Sequence, residues 1–261
     1  MGGTLARTGL PQPLSSATYN ANNQQTQRGT ATLTYDASGN LTNDGANTYS
    51  WDARNQLVGI SGAVSASFQY DAFGRRVRKT INGATTDYLY DGGNIVQEKV
   101  GGTPTANMLA GDVDEIFSRT ESAGTQSLVV DGLGSTLALL DSAAATQTEY
   151  TYEPFGSTTT SGSLSTNSSQ YTNRENDGTG LYYYRARYYS RGMQRFISED
   201  PIDFEGGDTN LYAYVSNSPC NATDPSGNSG WIGCAVGAAA FLLYDHFSGR
   251  KPTLLRALEG C

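Results

Sequence analysis

A chain of 261 residues with 37% apolar residues, 31 Gly and 17 Tyr is long enough for one large all-β domain or two ordinary ones, with a lean core. Its 17 basic and 25 acidic side chains leave a formal charge of −8, which argues against a nucleic-acid partner and for an acidic, soluble surface. Three cysteines (Cys220, Cys234, Cys261) without metal-ligand spacing and one histidine, His246, leave no material for a disulfide framework, a multi-histidine metal site or a His-based triad, so no cofactor is expected.

Met1 to Arg28 lacks the basic and then apolar order of a secretory leader, and Ser16 to Gln25 (SATYNANNQQ) has the polar texture of an irregular or edge segment, which sets a first unit at 1–30. The segment reads like the interior of a longer repeat protein, so the chain is expected to be a C-terminal piece or a shortened relative of one. From Ala31 an aromatic–Asp step recurs: Tyr35-Asp36, Trp51-Asp52, Tyr70-Asp71 and Tyr90-Asp91, with aspartates 16, 19 and 20 residues apart. Asp131 follows two periods later, and Tyr152-Glu153-Pro154-Phe155-Gly156 repeats the step with Glu.

A period near twenty residues, with one Gly or Asn turn between two β-rich runs, predicts one hairpin per repeat over 31–156. In each repeat the Tyr or Trp supplies apolar area with a polar tip, the Asp can accept turn amides, and Gly39 or Gly74 permits positive φ. About ten such repeats would close a tube only about 30 Å across, too narrow for a folded domain, so a curved or spiralling antiparallel sheet is expected instead of a closed capsule. Leu109 to Ser118 departs from the repeat. Leu128, Val130, Leu137 and Leu139 should share one face of two strands around the Asp131–Gly134 turn if register is kept. The fragment Gly132-x-Gly134 lacks the lysine and helix of a phosphate loop. Thr158 to Ser169, rich in Ser, Thr and Gly, should be a surface loop.

Gly180 to Gly227 concentrates Tyr, Arg, Asp-Pro and Gly. Leu181 to Tyr189 is one strand candidate and Asn210 to Val215 (NLYAYV) another, with Asp200-Pro201 and Asp224-Pro225 as breaks between extended segments. The runs GLYYYRARYY, RFISEDPI, GGDTNLYAYVSNSP and DPSG closely resemble the core domain that ends the Rhs and YD-repeat shells of bacterial polymorphic toxins; related shells occur in the C component of insecticidal toxin complexes and in teneurins. The resemblance places that core at 157–227, and Leu109 to Ser118 resembles the stretch preceding it.

The resemblance implies a scaffold that holds a C-terminal effector and a core that acts as an intramolecular aspartic protease, cutting after a DPxG-Leu ending. Asp200 and Asp224 match the aspartates of that cleavage, Arg187 the core arginine and Arg195 the arginine of the RF pair. This sequence has Ser190 where the pattern has an aspartate and Asn228 where it has leucine, so the expected cut is at Gly227-Asn228 or Asn228-Ser229. The plainer reading makes Asp200 and Asp224 turn caps and gives both arginines structural carboxylate partners.

The tail, 228–261, opens with a 14-residue apolar run, Trp231 to Tyr244, short of the ~20 residues that cross a bilayer. A buried or interfacial helix is expected there, with membrane association as the alternative. Thus the sequence predicts an all-β shell segment with a short C-terminal helix, secreted or at a cell surface in a toxin system. Expected partners are upstream shell segments, its own effector, an immunity protein or a secretion apparatus. The alternatives are a self-cleaving aspartic peptidase acting once and a surface carbohydrate-binding repeat.

Overall fold

The computed structural model of the chain describes residues 14–228 and the strand Trp231–Ile232. Its main body is one antiparallel sheet of 14 strands in strict sequence order, from Thr34–Tyr35 at one edge to Thr158–Gly162 at the other. The two ends do not pair with each other, so the sheet is open, as the length argument requires. A 3-stranded sheet precedes it, and the segment read as irregular or edge carries two of its strands, Ala17–Tyr19 and Gln25–Arg28. A 4-stranded sheet follows, built from Glu175–Asn176, Leu181–Tyr184, Arg187–Ser190 and Arg195–Phe196.

The repeat turns are made by their aspartates. Oδ1 of Asp36 accepts the amides of Ser38 and Asn40, two and four residues on. Asp52, Asp71 and Asp131 do the same with Arg54 and Gln56, Phe73 and Arg75, and Leu133 and Ser135. The residue three after each Asp is left-handed: Gly39, Asn55, Gly74 and Gly134 have φ of 76°, 59°, 82° and 82°. Asp141 builds the same turn on Ala143 and Ala145 without an aromatic residue before it, and the left-handed position falls to Ala144. Asp91, by contrast, faces Asn94 across the two-residue Gly92-Gly93 turn and does not form an aspartate-capped loop.

The aromatic residue ties each repeat to the one before. Trp51 Nε1 donates to Leu41 O at 2.8 Å, Tyr70 Oη to Leu57 O at 2.7 Å, Tyr90 Oη to Arg76 O at 3.0 Å and Tyr152 Oη to Thr136 O at 2.6 Å. Each acceptor lies five residues after an earlier turn aspartate (Asp36, Asp52, Asp71 and Asp131 in turn), where a strand resumes. A buried carbonyl on the sheet's inner side is thereby satisfied once per repeat. Removing one aspartate, as in Asp52→Ala, strips two amides of their acceptor and is expected to cost about 1 kcal/mol per lost bond, read from the urea midpoint.

Several expectations need correction. Thr158 to Ser169 is not all loop, because Thr158–Gly162 pairs residue for residue with Thr148 to Tyr152 as the last strand. Leu109 to Ser118, which lacks the aromatic–Asp step, lies within the sheet as expected of 31–156, forming parts of Thr103–Ala110 and Ile116–Glu121 and the turn between them. Leu128 does face Leu139, but a bulge at Val129/Val130 breaks the register, leaving Val130 46% and Leu137 39% exposed while Leu139 is fully buried. The expected C-terminal helix lies outside the described residues, except that its first two, Trp231–Ile232, are a strand paired with Ala222–Thr223.

Candidate functional site

Leu181 to Tyr189 is two strands rather than one: Leu181–Tyr184 turns through Arg185 (φ 58°) into Arg187–Ser190, with Tyr182 opposite Tyr189 and Tyr183 opposite Tyr188. Both faces of this hairpin are buried. Leu181, Tyr183 and Tyr188 join Leu41, Leu57, Ile60 and Phe68 of the large sheet and Leu33 just before it, while Tyr182, Tyr184 and Tyr189 pack with Phe196, Tyr214 and Tyr171. Asn210 to Val215 is not a strand. Its Asn210 Oδ1 accepts the Tyr212 amide in a local turn, only Ala213 bridges to Arg195, and Val215–Asn217 is a short 3-10 turn.

The hydroxyls of this tyrosine block read the ends of the repeats. Tyr212 donates to Gly39 O at 2.7 Å, Tyr183 to Gly74 O at 3.4 Å and Tyr182 to Gly156 O at 3.0 Å, all three acceptors being left-handed turn glycines. Tyr189 and Tyr171 reach Phe155 O and Pro154 O in the last of those turns. Turns from both ends of the 14-stranded sheet therefore close on one block, which curls the sheet around it. Arg76, fully buried, pins the two together through Asp177 and Tyr188 Oη, with its guanidinium 4.2 Å from the Tyr183 ring centre.

Within the block, three of the four sequence-selected residues meet. Arg187 Nη2 lies 2.8 Å from Asp200 Oδ2 and 3.5 Å from Asp224 Oδ2, and the three side chains are almost wholly buried. Arg187 Nη1 donates to Leu211 O at 2.9 Å, its Nε donates to Gly227 O, and its guanidinium stacks 3.7 Å from the Phe196 ring centre. Asp224 Oδ1 accepts the amides of Gly227 at 2.8 Å and Asn228 at 3.1 Å. The Gly227-Asn228 peptide is thus gripped at its carbonyl by a cation and at its amide by a carboxylate.

Arg195 does not join them. It donates to Asn23 O and Asn210 Oδ1, and stacks on Tyr19 and Tyr212, clamping the N-terminal sheet to the block with no carboxylate partner among the described residues. Ser190, the departure from the family pattern, accepts the Met193 amide in a turn.

Burial raises the Asp200 carboxyl above its ordinary range; Arg187 pulls it back, and the negative charge of Asp224 adds to the rise. Burial also lowers the Arg187 guanidinium despite its two carboxylate neighbours. One Arg187 nitrogen, Nη2, contacts both Asp200 Oδ2 and Asp224 Oδ2, so each carboxylate of the pair already faces a cation.

Sequence reasoning missed Gly206. A methyl group there would sit 2.8 Å from both Asp200 Oδ2 and the Asn228 carbonyl oxygen, so both oxygens press on one spot, and only the Gly206-Gly207 pair in the sequence hints at it. Asp203 and Asp208 also line the cleft, whose interior of about 20 Å³ holds about one water. On the other side Asp200 lines a second cleft with Ser38, Asn40 and Asn55 of the first two repeat turns. Among the described residues no His, Cys, Asp and Glu cluster is arranged to hold a metal ion.

An open sheet of aspartate-capped hairpins curled on a tyrosine-rich terminal block defines an Rhs/YD-type shell protein. The sequence profile described as Teneurin YD-shell matches residues 8–200, well over half of the chain, and the chain belongs to that family. It is 34% identical over 186 residues to the tRNA3(Ser)-specific nuclease WapA of Bacillus spizizenii, covering 67% of this chain and 8% of that protein. It is 47% identical over 58 residues to Toxin subunit YenC2 of Yersinia entomophaga, covering 22% of this chain and 6% of that one. The Photorhabdus luminescens Tc holotoxin pore structure superposes with a TM-score of 0.65 at 21% identity, covering 83% of this chain and 13% of that one, which shows the shared fold. The chain thus spans under a tenth of the length of these two sequence relatives.

Proposed function

We propose that this chain is the closing part of a toxin-system shell, which scaffolds or encloses the effector segment that follows it, and that its core cuts the chain once at the exit of the tyrosine block. The observation that carries the reading is the grip of Arg187 and Asp224 on the peptide after Gly227, where the chain leaves the block beside the buried carboxyl of Asp200. A tethered bond held in this way has a high effective concentration at the acid and base groups that handle its protons. In this reading Asp200, whose carboxyl is pushed toward its protonated form, is the acid, Asp224 positions the amides and Arg187 polarises the Gly227 carbonyl. The toxin-subunit name of one relative and the nuclease name of another support a toxin-system setting, secreted or at a cell surface; the partners in this reading are the effector, an immunity protein or a secretion apparatus. No helix among the described residues is long and apolar enough to cross a membrane.

Intact-mass measurement of the freshly purified chain during incubation tests the cut. The expected result is loss of a tail beginning at Asn228 or Ser229, slowed at least 100-fold in Asp200→Asn. A full-length species that persists unchanged for days overturns self-cleavage while leaving the shell role standing.

A further inference from the structure

We infer that Asn228 breaks the chain itself: its carboxamide nitrogen attacks its own main-chain carbonyl carbon, closes a five-membered succinimide and expels the amine of the following residue. The inference rests on the self-cleavage proposed above and names its nucleophile. Four observations converge on this residue. The Asn228 amide is fixed by Asp224 Oδ1 at 3.1 Å and Ser226 Oγ at 3.2 Å. Its carbonyl oxygen and Asp200 Oδ2 both lie against Gly206, each 2.8 Å from where a methyl group would sit, so a carboxyl and the carbonyl under attack flank the same small residue. Its side-chain Oδ1 is buried with no hydrogen-bond partner among the described residues, so rotating that end of the carboxamide breaks none of the bonds seen there. Finally, Asp200 and Asp224 are both engaged by Arg187 Nη2, at 2.8 Å and 3.5 Å, so neither carboxylate stands ready as the free base that would activate a water.

The step balances within the chain. A bond forms between Nδ2 and the Asn228 carbonyl carbon, and the bond from that carbon to the next nitrogen breaks. One proton passes from Nδ2 to the departing amine. Nothing is oxidised and no water is consumed. Asp200, which burial favours in its protonated form, supplies a proton to the carbonyl oxygen as the ring closes and the carbon becomes tetrahedral, and recovers it when the amine leaves and the carbonyl re-forms. An Asn is required for this chemistry, because the aliphatic side chain expected at this position from the family pattern carries no nitrogen.

The experiment incubates the full chain in water enriched in heavy oxygen and follows intact mass, with hydroxylamine added to a parallel sample. The expected N-terminal fragment ends at Asn228, is lighter by one water than a hydrolysis product, carries no heavy oxygen at first, and is trapped by hydroxylamine as a hydroxamate. Asn228→Leu should abolish the cut and Asn228→Gln, which must close a six-membered ring, should slow it about tenfold or more. Unchanged thermal midpoints in both variants show that folding is intact. Immediate heavy-oxygen uptake into a new carboxylate, or cutting of Asn228→Leu at the parent rate, overturns the inference and leaves the proposed self-cleavage standing. A full-length chain that gains one mass unit without breaking reveals attack in the opposite sense, on the side chain, and also overturns it. No change of any kind sinks both readings together.

Discussion

Arg76→Met is expected to cost about 3–5 kcal/mol, because it leaves the fully buried Asp177 carboxylate with Lys79 as its remaining cation. In a domain of this size that is a fall in the thermal midpoint of roughly 10 °C or more. Burial by itself would raise the Asp177 carboxyl, but Arg76 and Lys79 together hold it below the ordinary carboxylate range. A carboxylate with a depressed folded-state pKa stabilises the fold above its unfolded value, and that contribution disappears as the pH falls through the folded value. Urea unfolding at pH 7 and again near pH 3 should therefore show a large gap between the parent and Asp177→Asn at neutrality that narrows in acid. A gap that stays constant across that window would mean that the Asp177 side chain acts through packing and not through its charge. Pairing Arg76→Met with Asp177→Asn tests the same point, since the double variant should recover much of the loss by removing the uncompensated charge.

The sheet was legible because its turns are local chemistry. An Asp that caps the amides two and four residues on, followed by a residue able to take positive φ, is visible in the sequence around Asp36, Asp71 and Asp131. Asp141 falls ten residues after Asp131, off the twenty-residue period, and has no aromatic residue in front of it, whereas the cap needs only the carboxylate. Tyr90-Asp91 was included for the opposite reason: the dipeptide is present, but Gly92-Gly93 offers a tighter turn that leaves no amides for the side chain. The Thr158–Gly162 strand hid in a loop-like composition, although threonine is a strand former and this run needs only one neighbour to pair with.

The terminal block was less legible, since period-two patterning assumes one wet face. Every residue of Leu181–Tyr184 and Arg187–Ser190 is buried, so alternation carries no information there. In the site, Arg187, Asp200 and Asp224 were foreseen from the resemblance and do come together. Arg195 shared the motif but not the place, because its position is set by long-range stacking on Tyr19 and Tyr212. Gly206 is hinted at only by its pairing with Gly207, because what matters there is an absence of volume beside two oxygens that the sequence separates by 28 residues, Asp200 and Asn228.

Gly227→Ala should separate the fold from the cut. At φ 76° a side chain is already strained, and here a methyl group would sit 2.0 Å from the Tyr184 carbonyl oxygen and 3.1 Å from the Arg187 amide nitrogen. Both are backbone atoms of the buried tyrosine hairpin, so the hairpin cannot yield and the 224–228 loop must move instead. The loop carries the Arg187–Gly227 hydrogen bond and both amides held by Asp224, so its displacement misplaces the peptide that is to be cut. A shift of about 1 Å at a tethered reacting bond is worth about 100-fold in rate, which is the expected loss of tail release by intact mass. Gly83→Ala is the matched control, because Gly83 has φ 88° and nothing within 4 Å of the added methyl. It should lower stability through the same left-handed strain, about 1–2 kcal/mol, and leave release at the parent rate. Equal slowing in the two variants would trace the effect to general destabilisation. Slowing confined to Gly227→Ala would trace it to the geometry around Arg187, because that is where the two substitutions differ.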